Sequence, residues 1–196
     1  MELGNGPRAL VLTHQTGGSL CDWWPYARTL AQRGYRVLAI DFVGSGESTT
    51  TSATPAYDVR DVATAVRHLR ATGARRVGVV GLSIGGTVAV VAAERVQPRL
   101  DAVVSISGPA EYFGIDALPA AKRTTVPVLV VIAETDSGVD VTAVKALAAA
   151  TRGPGSKLVA VPGSAHGKVF LDPSTPGSPK VVTELTQFLA TTMSRA

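Results

Sequence analysis

Apolar β-branched runs alternate with amphipathic stretches from one end of the 196-residue chain to the other. Six runs read as strands: Ala9–Thr13, Arg36–Ile40, Val77–Val80, Ala102–Ile106, Val128–Ile132 and Leu158–Val161. Most are near-continuous Val, Ile, Leu and Ala, the pattern of a strand covered on both faces. Between them, apolar positions recur at helical spacing. From Tyr57 to Thr72, Val59, Val62, Val66 and Leu69 form one apolar face, with Arg60, Asp61, Thr64, Arg67 and His68 opposite. The last segment repeats the pattern with Val181, Val182, Leu185, Phe188 and Leu189. Such alternation implies right-handed crossovers. The expected fold class is α/β: a doubly wound, mostly parallel six-stranded sheet with helices on both faces. No repeat or linker divides the chain, so residues 1–196 are expected to form a single domain. Gly163–Pro179, rich in Gly, Ser and Pro, reads as a functional loop rather than a boundary.

Parallel α/β sheets bind ligands beyond the carboxyl ends of their strands, so the residues just after each run carry the chemistry. Gly81-Leu82-Ser83-Ile84-Gly85 lies between an apolar strand and an Ala/Val-rich helix. In a sharp strand-to-helix turn the central Ser projects, the flanking glycines leave room for close packing, and the helix N-terminus faces the reacting carbonyl. A serine hydroxyl needs an adjacent base. Of three histidines, His68 sits mid-helix on the polar face and His14 ends the first strand, where a structural hydrogen bond is expected. His166 follows the last strand in a Gly/Ser loop, within reach of Ser83. The acid that would orient it is Asp136, after Val128–Ile132. Asp140 is the reserve, though it could equally cap the next helix, and Glu134 is a third option read as a surface charge.

The order Ser83, Asp136, His166 resembles the α/β-hydrolases, and so do four segments spanning nearly the whole chain. They are Leu10–Gly18, like the family's strand and oxyanion-hole loop; Asp41-x-x-Gly44-x-Gly46-x-Ser48; the elbow around Ser83; and the pair Pro127 to Asp136 and Val161 to Gly167. The resemblance implies that the Ile84 N–H is one oxyanion donor and that Thr16 matches the other. Gln15 stands where a Gly usually follows the His, which alters the expected loop and leaves Thr16 and Gln15 as alternative second donors. Family members often begin with a hairpin before the first parallel strand, where about eight residues stand here, and only Gly108–Thr125 occupies the usual lid position. That predicts a minimal fold with no large lid and an open site for accessible esters. Tyr112 and Phe113 are expected to line one wall. Of Trp23 and Trp24, just beyond the oxyanion loop, one is expected in the core, and Trp23 is a candidate substrate contact.

Composition narrows the alternatives. One Cys, Cys21, excludes an internal disulfide and a Cys-rich zinc site, and it lies in no nucleophile motif. No metal or cofactor is implied. The formal net charge is +4, and the densest basic group, Arg67, Arg70, Arg75 and Arg76, falls at a helix end, where it complements the dipole. No basic stripe or nucleic-acid motif is present, so a small-molecule ester is the expected partner. No run of about 18 apolar residues exists, so no membrane span is expected. The N-terminus lacks a basic start and an apolar core, so a cytoplasmic location is expected, although a trimmed secreted chain could begin the same way. An acyltransferase or thioesterase would use the same triad. Two other classes compete. One is a non-catalytic binding module on this fold. The other is a dinucleotide-binding protein, reading Gly81-x-Ser83-x-x-Gly86 as a degraded glycine fingerprint with Asp101 as its acid.

Overall fold

The six apolar runs become six parallel strands of one sheet in a computed structural model, which describes residues 1–49 and 56–194. They are β2 (Arg8–Thr13), β3 (Tyr35–Ile40), β4 (Arg76–Leu82), β5 (Ala102–Ile106), β8 (Val128–Ala133) and β9 (Lys157–Val161). Ahead of them β1 (Glu2–Leu3) adds a seventh strand, antiparallel to β3, with Glu2 opposite Leu38 and Leu3 opposite Val37. Two residues carry no periodicity, so this strand is invisible in the hydrophobic pattern. Tertiary contacts hold it: Met1 exchanges backbone hydrogen bonds with Ala39 at 2.9 and 3.0 Å, and Glu2 pairs with Arg36. The sheet order is β1-β3-β2-β4-β5-β8-β9.

Each parallel strand is followed by a helix because its neighbour in the sheet can be reached only by a crossover. Helices α1 (Trp24–Gln32) and α6 (Ser178–Thr192) cover one face, burying Tyr26, Leu30, Val181, Leu185 and Leu189 on Leu10, Leu12, Val80 and Val104. On the other face lie α2 (Val59–Ala71), α3 (Ile84–Arg95), α4 (Leu118–Arg123) and α5 (Val141–Ala150). The α2 face matches the sequence pattern except at Asp61. That residue is half-buried, and its carboxylate accepts the Val43 N–H at 3.2 Å. Helix α3 is apolar all round and buried from Ile84 to Ala93, as a helix enclosed by sheet and neighbours must be.

The chain leaves β2 toward β3 on one side, then returns across β2 to lay β4 on the other. The carboxyl ends of β2 and β4 therefore flank the switch point where a crevice opens in doubly wound sheets. After β5 there is no large helical lid. A two-stranded hairpin, β6 (Glu111–Tyr112) and β7 (Ile115–Asp116), and the short α4 fill the interval.

Candidate active site

Ser83 joins β4 to α3 in a single residue, with φ 49° and ψ −121°. A non-glycine residue at positive φ is strained and persists only where its surroundings dictate it. Here they do. The Ser83 N–H donates to the Ile106 carbonyl at 2.8 Å, while its own carbonyl accepts from Gly86 and Thr87 at 2.7 and 3.1 Å. Glycines make the approach feasible. A Cβ on Gly81 would fall on the Gly85 carbonyl, and one on Gly85 would come within 2.6 Å of Thr13 O and 2.7 Å of His14 O. Ile84 opens α3, so its N–H has no intrahelical acceptor and points outward with the helix dipole.

The histidine and acid loops meet this serine. Ser83 Oγ lies 3.0 Å from His166 Nε2, and His166 Nδ1 lies 2.9 and 3.0 Å from the two Asp136 carboxylate oxygens. An ionised carboxylate can only accept, so Nδ1 carries the proton and Nε2 is left to accept from the serine hydroxyl. Asp136 is buried, and its Oδ1 also accepts the Gly138 N–H at 2.9 Å. The His166 side chain stays 30% exposed, whereas that of Asp136 is fully buried.

The first loop is built on His14. This buried ring donates from Nδ1 to the Gln15 carbonyl at 2.8 Å and accepts at Nε2 from the Phe42 N–H at 3.1 Å. Both nitrogens are occupied, in keeping with the structural role expected. Gln15 adopts no positive φ, so the loop accommodates a side chain where the family favours glycine. The turn closes through Gly18 N–H to Gln15 carbonyl at 3.0 Å, leaving the exposed Thr16 outside that bond. The next motif is explained by Asp41, whose carboxylate accepts from Leu20 N–H at 2.6 Å and Glu47 N–H at 3.2 Å. Its carboxylate also fills the space a Cβ on Gly46 would need.

Other candidates separate. Asp140 caps α5, accepting from Thr142 and Ala143 N–H groups at 2.8 and 3.0 Å, and Glu134 is exposed. Asp101 sits at the opposite end of the sheet, bound to Arg70, Arg76 and the Val77 N–H, which removes the acid of the dinucleotide reading. Trp23 corrects the expectation of a substrate contact: it is fully buried in the core with Leu10 and Leu30, because the short 3-10 helix Leu20–Trp23 turns it inward. Its neighbour Trp24 takes the surface instead, and the Cys21 thiol is also exposed. Tyr112 and Phe113 are 41% and 60% exposed on the hairpin. An aromatic chain links them to the first loop, from Tyr112 to Phe113 (4.5 Å between centroids), Tyr57 (5.7 Å), Phe42 (5.4 Å) and His14 (5.1 Å). Tyr57 and Gly138 were not legible as site residues. A glycine two positions after the candidate acid was the one available signal.

Residues 8–123 match the family model described as alpha/beta hydrolase fold. A curated hydrolase of Burkholderia vietnamiensis, named for 2-hydroxy-6-oxononadienedioate and 2-hydroxy-6-oxononatrienedioate, is 31% identical over 110 residues. The match takes in 55% of this chain and 38% of that protein, so well under half of the relative's length is represented. Among solved structures, Est1E of Butyrivibrio proteoclasticus with ferulic acid bound superposes with a TM-score of 0.83 at 16% identity, over 100% of this chain and 95% of that one. The Pyrococcus furiosus esterase Pf2001 gives 0.80 at 19% identity, over 96% and 83%. A monoacylglycerol lipase of Paleococcus ferrophilus gives 0.79 at 16% identity, over 97% of each chain. At these identities the structural likeness speaks for the fold, and the family match for descent: the chain belongs to the α/β-hydrolase fold family.

Proposed function

We propose that the protein is a serine hydrolase that cleaves carboxylic esters of small, accessible substrates through an acyl-enzyme. The observation that carries this reading is the continuous relay from Ser83 Oγ through His166 to buried Asp136, with both links near 3 Å. Ser83 Oγ attacks the ester carbonyl carbon as its proton passes to His166 Nε2. Asp136 accepts the hydrogen bond from Nδ1–H throughout and stabilises the imidazolium. The Nε2 proton then leaves with the alcohol. Water, deprotonated by the same nitrogen, releases the acid and restores Ser83.

The developing oxyanion is held by the N–H groups of Ile84 and Thr16. Between Thr16 and Gln15, peptide geometry favours Thr16. The His14 carbonyl oxygen lies against Gly85, so the Gln15 N–H, trans to it across a planar peptide, points away from the elbow. Each donor contributes about 3–4 kcal/mol of transition-state stabilisation in comparable sites. Solvent access to His166 supports water as the acyl acceptor over a second organic substrate. The exposed rings of Tyr112 and Phe113, backed by the partly buried Tyr57, are the proposed contact for the apolar part of the ester.

Labelling with a fluorophosphonate and turnover of a short p-nitrophenyl ester test the class. Ser83→Ala should abolish labelling and lower kcat by about 10^4-fold or more. Equal labelling of Ser83→Ala, or no turnover by the parent, would remove the hydrolase reading and leave a binding module.

A further inference from the structure

We infer that Gln15 is a positioning residue, whose side-chain carbonyl ties the histidine loop to the oxyanion loop and so fixes where His166 meets Ser83. The kinetic consequences rest on the serine-hydrolase reading, whereas the positioning itself does not. Gln15 Oε1 accepts the Lys168 N–H at 2.9 Å, joining segments 153 positions apart. The base of this tie is rigid. The Gln15 carbonyl is held by His14 Nδ1 at 2.8 Å and by the Gly18 N–H at 3.0 Å, and His14 is itself fixed to Phe42.

The receiving loop is shaped to fit. Gly167 has φ 58°, and a Cβ there would collide with Gln15 Oε1, so the glycine serves both the turn and the approach of the amide. A second strand of the tie runs beside the first: Lys168 Nζ pairs with Asp22 Oδ1 at 2.7 Å, and the other Asp22 oxygen packs on Gly18. At its far end the histidine loop is anchored by the Gly163 carbonyl, which accepts from the Thr135 N–H at 3.0 Å and its hydroxyl at 2.8 Å. His166 lies between these anchors, two residues from the Gln15 bond. Without that bond, the pair of half-exposed Lys168 with Asp22 would be left to tie the histidine loop to the oxyanion loop. The glycine usual at this position in the family has no side chain and cannot form such a tie, so this chain carries its own solution.

The test compares the parent with Gln15→Met, similar in length but a very poor acceptor, and Gln15→Glu, which keeps an acceptor oxygen. Gln15→Met should lower kcat and the fluorophosphonate labelling rate about tenfold or more, with KM within twofold. The Lys168 amide should exchange with solvent at least tenfold faster, and the downfield proton resonance of His166 Nδ1–H should shift or broaden. Gln15→Glu should recover most of kcat and of the amide protection. Parental kcat, exchange and proton resonance in Gln15→Met, or a Gln15→Glu variant no better than Gln15→Met, would overturn the inference. If Gln15→Met fails to fold, Gln15→Ala repeats the comparison. A parent without turnover would instead refute the hydrolase reading, and the exchange and resonance data would still decide the role of Gln15.

Discussion

Gly138 carries no functional group, yet its backbone does two things for the candidate base. Its N–H fixes Asp136 Oδ1, and its Cα faces the imidazole, where a Cβ would come within 2.7 Å of His166 Nδ1. Gly138→Ala should therefore push the ring off Ser83. A displacement on the order of 1 Å can cost about 100-fold in rate, so steady-state turnover should fall by about that factor. Circular dichroism should show the fold retained. The two aspartates of this loop separate by the same kind of test. Asp136→Asn should lower kcat by about 10^4-fold, because the amide no longer fixes the tautomer that lets Nε2 accept. Asp140→Ala loses only a helix cap. It should cost about 1 kcal/mol of stability, a melting shift of about 2–4 °C, with kcat unchanged.

At the scale of elements, the β6–β7 hairpin combines two costs. Its two-residue loop, Phe113-Gly114, has φ 50° and 73°, the geometry of a type I′ turn that favours Asn-Gly. Phe at the first position is strained and leaves 60% of its surface in water, so burial offsets little of the strain. A bulky ring kept there at a loss to stability fits a substrate contact better than a folding role. Phe113→Asn should raise the melting temperature by about 2 °C, since relief of αL strain is on the order of 1 kcal/mol. The same variant should raise KM for aryl or long-chain esters. Labelling of Ser83 by a small fluorophosphonate should be unaffected, because the serine, histidine and acid loops do not include the hairpin. An unchanged KM across ester types would show that the aromatic surface does not contact substrate.

For the whole molecule, the carboxylates set the acid limit of stability. Asp58 is held below the usual range by the Arg60 guanidinium, Glu94 by Arg123, Glu184 by Lys157 and Asp172 by Ser174. A carboxyl lowered on folding contributes stability that is fully present above its unfolded value, near 4, and is lost as pH falls through the folded value. Asp61 acts in the opposite sense, because burial raises its carboxyl, and the stability it costs at neutral pH is regained as it protonates. Glu2 is lowered too, because its burial is outweighed by its hydrogen bonds to Arg36 and His68. With five groups lowered against one raised, the melting temperature should hold through neutral pH and fall below about pH 4. A melting temperature rising through that window would contradict the balance.

What the sequence determined by itself followed from short-range rules. Continuous apolar runs marked the six parallel strands to within two residues at each end, and helical spacing marked α2. Ser83, Asp136 and His166 were legible because a parallel sheet sends the end of every strand to one edge, so chemistry-bearing residues after strands must meet there. Tertiary structure decided what needs two distant segments at once. The two-residue β1 exists through its pairing with β3, and Trp23 lies in the core because the 3-10 helix turns it inward. Gly138 gains meaning from a ring 28 positions away, and Gln15 from a backbone N–H 153 positions away. Periodicity and motif spacing report on a residue's own element. Contacts across loops carry no periodicity and become readable when the fold brings the loops together.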